Sequence, residues 1–428
     1  MRSLVLSKTQ SLSERADMFP VAIYGEQIAD IPDDLLGSKG SLTYFGSSCH
    51  LRLLEMRRKT VGVTHTESNT VAIENDNYFI NSCKSKTSIA ADYIVKGYKE
   101  HIEQGLDSNV KWAVRNTPYN YEGQGAARLW ADIIKADNKN EILDYQSDIL
   151  PISLMRGSDG ELKGMRSKFL NDYGLYKVRP YPFHAFAAWN AKVATAGYFC
   201  RKGYSGDITV KTDVSTYQYD FRSRGLIVTP DTEVEVDFLF HCLDSEGYIW
   251  NPVKHEVLGF LNSKSMTIKN PKIFSFTKDD TFKYPMVIKL DSKTGYKLGY
   301  TSIIVDVKGI ECDKIVIPYQ CSSYASGGSE LGNVVYVPAG IQLMGSYKWI
   351  EISASESNAH VNYLQSLPVK YLLANWRTSQ TNDLPQLNII PKLSDTMLTT
   401  DDDILEFLGG KSIKKEIING YRKKTSTK

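Results

Sequence analysis

Residues 284 to 306 read YPMVIKLDSKTGYKLGYTSIIVD, in which two apolar, β-branched flanks enclose a basic middle that contains glycine. Lys289, Lys293 and Lys297 recur every four residues, and Gly295 and Tyr296 lie among them. Ammonium groups neutralise phosphates, tyrosine rings stack on bases, and glycine lets a nucleic-acid backbone come close. The stretch is therefore a candidate nucleic-acid contact, although a surface hairpin or short helix decorated with lysines has the same pattern.

Length and composition indicate a globular protein. The 428 residues, 42% of them hydrophobic, can bury a sizeable core, arranged as two or three domains or as one large elaborated domain. The 51 basic and 49 acidic residues leave a formal charge of +2, so a nucleic-acid surface has to be a local patch. The 26 tyrosines suit stacking surfaces and are equally ordinary in a β-rich fold.

The location in the cell is predicted from what the sequence lacks. The six cysteines are far apart without a C-x-x-C pair, which indicates neither a zinc knuckle nor a disulfide scaffold. The first apolar run covers only residues 4 to 6, too short for a signal peptide, and no stretch approaches the roughly 18 to 20 apolar residues of a membrane span. We expect a cytoplasmic protein or a virus particle component assembled in the cytosol.

Apolar spacing and turn residues predict a succession of strands and helices. Strands are predicted at 20–31, 207–212, 233–242, 248–257, 268–276 and 312–319, and residues 35 to 44 pass Gly37 and Gly40 before a second strand. Helices are predicted at 87–105, 125–136, 180–203 and 361–376. Residues 137 to 168 read as a long loop or inserted subdomain. We divide the chain into the start of a core domain (1–60), insertions with helical elements (61–170), the rest of the core (171–378) and a C-terminal tail (379–428).

Two further basic groups are candidates for phosphate contacts. The first is Arg57, Arg58 and Lys59, and the second is Lys192, Arg201 and Lys202. A solvated helix or strand face explains the first group at least as well, and Arg201 and Lys202 at a helix end would also complement its dipole.

Catalytic signatures are missing from the sequence. It contains no G-x-x-x-x-G-K-[ST], G-x-G-x-x-G, H-E-x-x-H or G-x-S-x-G motif. His255-Glu256 is the one polar cluster with a hint of acid–base character, and a histidine satisfied at a strand end is more common. Asp401 to Asp403 read as an acidic helix start rather than a cation site. We therefore predict no catalytic residue, metal or cofactor, and a protein that is not an enzyme.

Five segments in the second half carry a resemblance to a known family. In order, they are NAKVATAGYFCRKGYSGDITVKTD (190–213), EVDFLFHCLDSEGYIWNPVKHEV (235–257), IKLDSKTGYKLGYTSIIVDV (288–307), IPYQCSSY (317–324) and VKYLLANWRTS (369–379). This order resembles the RNA-binding backbone subunit of type I-F CRISPR surveillance (Csy, or Cascade) complexes. Leu290-Asp291-Ser292 stands where that family has a histidine before the central lysine, and residues 60 to 170 add length, which would make this chain a divergent branch.

The resemblance implies a fold, partners and a binding surface. The fold would be α+β, with a ferredoxin-like, RNA-recognition-type core, large insertions and a protruding β-hairpin thumb taken from 60–80 or 137–170. Copies would form a helical filament along a guide RNA, together with other subunits of the complex, and would reach target DNA through that RNA. The RNA-binding residues would be Arg57, Arg58, Lys59, Lys192, Arg201, Lys202, Lys289, Lys293, Gly295, Tyr296 and Lys297.

Two other classes of protein fit the same features. A viral capsid or nucleocapsid subunit also needs self-association and positive charge against packaged nucleic acid. A phage tail or adhesin module needs no basic patch.

Overall fold

The computed structural model describes residues 21–43, 49–63, 70–74, 81, 84, 91–116, 120–121, 124–152, 161–181, 195–253, 272–291, 295–319, 331–345, 347–376, 387–410 and 413. Internal contacts divide the chain into two compact units, Met1–Glu233 and Val234–Lys428. The four segments expected from composition stay a prediction.

A nine-stranded mixed sheet forms the centre of the first unit. Its strand order is β11-β10-β8-β9-β7-β4-β1-β2-β3. The bounds are β1 Gly40–Thr43, β2 Thr70–Glu74, β3 Asp92–Val95, β4 Trp112–Arg115, β7 Tyr145–Pro151, β8 Leu175–Pro180, β9 Thr195–Arg201, β10 Ile208–Lys211 and β11 Thr216–Tyr219; β5 Asn120–Tyr121 and β6 Gln124–Gly125 form a separate pair. Strands β3, β2, β1, β4 and β7 are mutually parallel, and β9 runs antiparallel between β7 and β8.

Helices cover both faces of this sheet. On one face, α1 (Val21–Ala29) and α2 (Cys49–Thr60) pack their apolar residues against Leu42, Trp112 and Val114. On the other face, α3 (Tyr98–Gln104) and α4 (Ala126–Asp137) pack against the neighbouring strand positions, since successive side chains alternate between faces. The helices α5 (Glu161–Ser167) and α6 (Phe221–Arg224) and a π-helical turn, Lys168–Asp172, complete the unit.

The predicted ferredoxin-like core is therefore wrong. Parallel neighbours need crossover connections, and here the crossovers place helices on both faces of a doubly wound α/β sheet. The predicted loop or insertion at 137–168 is also wrong, because β7, a central strand, and α5 lie within it.

Gly40 on β1 is required by close packing. Its register partner on β4 is Trp112, which is fully buried, and a Cβ atom at position 40 would overlap the indole ring. We expect Gly40→Ala to destabilise the first unit by about 1–3 kcal/mol, the usual cost of overpacking. Urea unfolding measures this, with Gly37→Ala as the matched control because a Cβ there meets no atom within 4 Å. Equal stability of the two variants would contradict the packing account.

The second unit contains two four-stranded sheets. One has the order β12-β19-β16-β17 and the other β13-β15-β14-β18. Their bounds are β12 Asn251–Pro252, β13 Phe274–Ser275, β14 Tyr284–Asp291, β15 Gly295–Thr301, β16 Lys314–Pro318, β17 Val335–Val337, β18 Gln342–Leu343 and β19 Tyr347–Glu351. The helices are α7 Glu233–Asp244, α8 Val307–Glu311, α9 Ser357–Gln365, α10 Leu367–Trp376 and α11 Asp401–Phe407. Residues of both sheets, including Val287, Met286 and Trp349, share one apolar core.

Several sequence predictions hold and others fail. The helix at 125–136 and the strands at 207–212 and 312–319 are confirmed to within two residues at each end. The helix predicted at 87–105 is confirmed only for its last part, Tyr98–Gln104, and is wrong at 92–95, which form β3. The strands predicted at 20–31 and 233–242 are wrong, because these residues form α1 and α7. The helix predicted at 180–203 is wrong where it is described, since residues 195 to 201 form β9. None of the helices in the described part of the chain has the length and apolar character of a membrane span.

Candidate functional site

The carboxyl ends of the parallel strands form one edge of the large sheet. From β1 the chain proceeds outward to β2 and β3, then returns to β4 on the other side of β1 and continues to β7. The strand order therefore reverses between β1 and β4. In open α/β sheets, ligands bind in the crevice outside the carboxyl ends at such a reversal.

Two polar side chains flank this crevice at the same level of the sheet. Thr43, the last residue of β1, pairs with Ile73 of β2 and Arg115 of β4. Glu74 and Asn116 each follow one residue later, so they stand on either side of β1, about 10 Å apart by the usual strand spacing. Both are buried, to 4% and 9% exposure, although each lies at a strand end.

Asn116 presents an acceptor without a partner. Its backbone N–H donates to the Thr43 carbonyl at 3.1 Å, which fixes the chain at the end of β4. Its side-chain Nδ2 donates to the Tyr24 hydroxyl on α1 at 2.8 Å. The Oδ1 atom is buried and has no hydrogen-bond partner among the described residues. A buried acceptor left unpaired is costly, so this oxygen calls for a donor from outside the described residues, either on a ligand or elsewhere in the chain.

A buried ionic network supports the crevice from the opposite face of the sheet. The Nε of Arg115 donates to Asp137 at 2.6 Å, and its Nη1 donates to Asp148 on β7 at 3.1 Å. His101 on α3 contacts the second oxygen of Asp137 at 2.7 Å. All four side chains are buried, with at most 1% exposure. The network ties β4, β7, α3 and the end of α4 together immediately before Asn116.

Asp137 and Asp148 both contact the Arg115 guanidinium, but their pKa values are shifted in opposite directions. Burial disfavours the charge on Arg115, but Asp148 and Asp137 outweigh burial and raise the pKa of Arg115 above its ordinary value. Burial also opposes ionisation of Asp137, yet Arg115 and His101 hold the pKa of Asp137 below its usual value. For Asp148, burial dominates over the attraction of Arg115 and raises the pKa to about 6.

The predicted basic group of α2 has partners inside the protein. Arg57 forms an ion pair with Asp33, and the exposed Lys59 pairs with Glu55 at 2.7 Å. Arg58 is buried, and its Nε donates to the carbonyl of Leu36 at 2.9 Å. Burial lowers the pKa of Arg58. Contact of these residues with nucleic acid stays a prediction.

The second predicted basic group lies at the opposite end of the strands. Arg201 and Lys202 are exposed at the end of β9, which runs antiparallel to β7, and Lys202 pairs with Glu141 at 2.7 Å. Lys192 lies outside the described residues. The structure thus places Arg201 and Lys202 away from the carboxyl edge of the parallel strands.

The opening stretch forms the β14–β15 hairpin of the second unit. Lys289 and Lys297 are exposed and directly opposite each other. Leu290 and Tyr296, also paired, belong to the apolar core on the other face. Gly295 has φ +80°, a conformation that favours glycine at the turn. Lys293 lies outside the described residues.

Sequence reasoning missed Glu74 and Asn116. The available signal was a polar residue at the end of each of two short strands: Glu74 is the last residue of TVAIE, and Asn116 follows WAVR. In the described part of the chain, no group of three or more His, Cys, Asp or Glu residues could hold a metal ion.

Comparisons with known proteins return restriction–modification enzymes and methyltransferases. No family model and no curated protein matches the chain. Among solved structures, the type IIG restriction endonuclease BpuSI is similar over 94% of this chain and 61% of its own, with 12% identity and a TM-score of 0.36. The ATP-dependent type ISP restriction-modification enzyme LlaBIII bound to DNA is similar over 91% and 38%, with 9% identity and a TM-score of 0.48.

A third similar structure is a putative class I S-adenosylmethionine-dependent methyltransferase from Listeria monocytogenes. It matches 49% of this chain and 68% of its own, with 10% identity and a TM-score of 0.34. The chain thus spans 61% of the length of BpuSI. Because the TM-scores of these three structures are below 0.5, they do not establish the fold of this chain. The fold is assigned from the strand order of the sheet.

These findings overturn the resemblance to CRISPR proteins. The structures found belong to restriction–modification enzymes and methyltransferases, and the sheet is doubly wound rather than ferredoxin-like. The expected guide RNA, filament and surveillance-complex partners are wrong on the same grounds, and the viral alternative has no support. The expectation that the protein is not an enzyme is withdrawn, since the structures similar to it are named as restriction endonucleases and methyltransferases.

Proposed function

We propose that the protein is a nucleic-acid methyltransferase that uses S-adenosylmethionine and methylates an exocyclic amine of a base in DNA. The observation that carries the proposal is the buried Oδ1 of Asn116 at the switch point of the doubly wound sheet, which has no hydrogen-bond partner among the described residues. An amide oxygen there accepts a hydrogen bond from an amine of adenine or cytosine, both of which are donors.

The strand order supports the choice of methyl donor. The central strands follow the order β3-β2-β1-β4-β7-β9-β8 with β9 antiparallel, and the similar structures have class I S-adenosylmethionine-dependent methyltransferase-like folds with a large mixed sheet. An acidic residue at the end of the second strand suits the ribose hydroxyls of a nucleoside, and Glu74 occupies that place. Glu74 and Asn116 stand about 10 Å apart on either side of β1, so a nucleoside and a base laid over the end of β1 could each contact one of them.

Methyl transfer from S-adenosylmethionine to an amine requires the protein mainly to orient the two reactants. S-adenosylmethionine supplies an electrophilic methyl group on a positively charged sulfur. The amine nitrogen contributes its lone pair to a new N–C bond while the S–C bond breaks, the electron pair of that bond stays on sulfur, and the nitrogen then loses one proton to water. Asn116 Oδ1 would hold one amine hydrogen and so aim the lone pair, which is catalysis by positioning.

The sequence after Asn116 supports a base as the acceptor. It continues Thr117-Pro118-Tyr119, which lies outside the described residues and adds an aromatic side chain. Enzymes that modify bases take the target out of the stack and read it by hydrogen bonds and by stacking against aromatic side chains. The sequence has no cysteine between Cys83 and Cys200 to serve as a nucleophile for methylation at carbon.

Transfer of a labelled methyl group tests the proposal. The full chain is incubated with S-adenosylmethionine carrying a tritiated methyl group and with duplex DNA of mixed sequence, and label in the DNA is counted. Incorporation that depends on the protein supports the proposal. No incorporation into DNA, by a chain that is folded, would refute it.

The hairpin lysines are proposed contacts to the DNA backbone. Lys289 and Lys297 are directly opposed like charges, an arrangement that costs stability, and neither forms an ion pair with any described residue. A polyanion would relieve this repulsion. The contact with guide RNA that was expected at these residues is replaced here by a proposed contact with DNA.

A double substitution tests the lysine pair. We expect Lys289→Ala with Lys297→Ala to weaken DNA binding and to lower the slope of log K against log salt concentration by about two, one per lost phosphate contact. Fluorescence anisotropy over a salt series measures this. Lys272→Ala with Lys278→Ala removes two exposed lysines of the same unit and serves as the control. If the slope for this double variant equals that of the control, Lys289 and Lys297 do not contact the DNA backbone.

We also propose that the protein acts in the cytoplasm. Cys200, Cys242 and Cys312 are free thiols, which fits a reducing compartment.

A further inference from the structure

We propose that the buried ionic network of Arg115, Asp137, Asp148 and His101 is a proton-sensitive switch. In this switch Asp148 takes up one proton, and the loss of that proton loosens the carboxyl ends of β4 and β7, where the crevice lies. The switch is a property of the network and does not depend on the proposed methyl transfer.

The two carboxylates of the network receive unequal numbers of hydrogen-bond donors. One oxygen of Asp137 accepts from Arg115 Nε at 2.6 Å, and the other contacts His101 Nε2 at 2.7 Å. Both oxygens of Asp148 instead rely on one nitrogen, Arg115 Nη1, at 3.1 and 3.3 Å. A buried carboxylate stays ionised only when it is well paired and hydrogen-bonded, so Asp148 is the one of the two that favours a proton.

The surroundings of Asp148 do not supply a second cation. Among the described residues, Arg115 is the only cation that forms an ion pair with Asp148. The other titratable groups that face Asp148 are one carboxylate, two phenols and one thiol, namely Asp137 at the end of α4, Tyr173 after the π-helical turn, Tyr198 in register on β9 and Cys200 on β9. Phenols and thiols bring no positive charge, and Asp137 brings a second negative one. With Asp148 ionised, one guanidinium therefore has to balance two buried carboxylates.

The pKa values of the two carboxylates agree with this count of donors and charges. Burial is the largest influence on Asp148 and raises its pKa from 3.8 to about 6 against the attraction of Arg115. Burial also opposes ionisation of Asp137, but Arg115 and His101 keep the pKa of Asp137 below its usual value. A rise of about two pKa units means that the folded chain binds the Asp148 proton about a hundredfold more tightly than the unfolded chain does. The stability that this proton contributes is therefore fully present below pH 3.8 and is lost as the pH rises through about 6.

The ends of β4 and β7 carry the effect to the crevice. Arg115 and Asp148 are partners in the register of these two strands, and Asn116 follows Arg115 directly. The Asn116 N–H donates to the Thr43 carbonyl at 3.1 Å, which keeps this end of β4 beside β1. When Asp148 loses its proton, the excess buried negative charge favours states in which the strand ends open to water. Asn116 is therefore held less firmly above about pH 6 than below it.

A titration of the parent chain tests the proton uptake without any substitution. The full chain is labelled with carbon-13 at the aspartate carboxyl groups, and the carboxyl signal of Asp148 is assigned through its backbone amide and followed by NMR as the pH changes. We expect its titration midpoint near pH 6. A midpoint near pH 4, the ordinary value for an aspartate, would overturn the proposal.

Hydrogen exchange at Asn116 tests the effect on the strand ends. Asp148→Asn replaces the carboxylate with an uncharged group of the same shape. At pH 8 we expect the protection factor of the Asn116 backbone amide to be higher in Asp148→Asn than in the parent, by up to about a hundredfold, and at pH 4 we expect the two to be equal.

Asp137→Asn is the matched control for this experiment, because it removes the other carboxylate of the same network. It should lower the protection of Asn116 at pH 8, since the pKa of Asp137 is held below its usual value. Equal protection in Asp148→Asn and the parent at pH 8, or a difference between them that does not vary with pH, would overturn the proposal. Neither measurement uses S-adenosylmethionine or DNA, so a failure here is distinguishable from a failure of the methyl-transfer assay.

Discussion

Replacing Asn116 by alanine is expected to lower kcat for methyl transfer by about a hundredfold or more, which is the usual cost of removing one aimed hydrogen-bonding group from a catalytic site. The loss follows from the geometry, because Oδ1 is a buried acceptor at the end of β4 that none of the described residues satisfies. The affinity for S-adenosylmethionine should change less than twofold, since Glu74, which is proposed to bind the nucleoside, is untouched.

Measuring both the rate of methyl transfer and the affinity for the methyl donor shows whether Asn116 serves the chemical step or the binding of the donor. Single-turnover transfer of a labelled methyl group measures the rate, and calorimetric titration measures the affinity for the methyl donor. Asn171→Ala, which removes an exposed asparagine of the same unit, is the control and should keep full activity. Full activity of Asn116→Ala would show that the acceptor base is held elsewhere.

Replacing Arg115 by methionine is expected to destabilise the first unit by about 3–5 kcal/mol, because Asp137 and Asp148 would be left buried without their cation. Hydrogen exchange of the β4 and β7 backbone amides measures the loss within this unit. Arg52→Met, at an exposed position on α2, should change stability by less than about 0.5 kcal/mol.

A compensated variant separates lost charge balance from lost packing. When Arg115→Met is combined with Asp137→Asn and Asp148→Asn, no unpaired charge from this trio remains, and we expect more than half of the stability to return. If the triple variant is no more stable than Arg115→Met alone, the network stabilises the unit through the packing of its side chains rather than through their charge balance.

How much of this could be predicted from the sequence depends on the length and the surroundings of each element. The helix α4 follows from Leu129, Trp130 and Ile133 at helical spacing, all of which are buried. The strand β4 has only four residues and ends in a charged arginine, so it has no recognisable apolar pattern. The ionic network that makes a buried Arg115 tolerable comes from residues more than 20 positions away.

The error at α7 has a clear physical origin. Residues 234 to 242 alternate between apolar and polar, which predicts a strand. In the structure, Glu233, Asp237 and His241 are exposed at intervals of four, which is the spacing of a helix, and the acidic Glu235 is buried and accepts a hydrogen bond from Tyr371. Because the polar residue Glu235 faces the core, the apolar spacing of the helix is hidden in the sequence. Its partner Tyr371 lies over a hundred residues away, so the sequence around Glu235 gives no sign that it is buried.

The site was missed because the pairing of the strands, rather than proximity in sequence, brings its two residues together. Glu74 and Asn116 lie 42 positions apart and are ordinary polar residues in sequence. The parallel pairing of β1 with both β2 and β4 brings them to one edge. A search for contiguous motifs does not detect such a pair, whereas a search for polar residues at the ends of successive short strands would have done so.

Mass spectrometry of nucleosides from DNA treated with the protein and S-adenosylmethionine tests the central claim most directly, because it identifies the atom that receives the methyl group. The proposed site predicts a methyl group on the exocyclic nitrogen of adenine or cytosine, formed by the parent chain and reduced about a hundredfold with Asn116→Ala. A methyl group on a ring carbon of cytosine, or unmodified nucleosides after treatment with the folded parent chain, would contradict it.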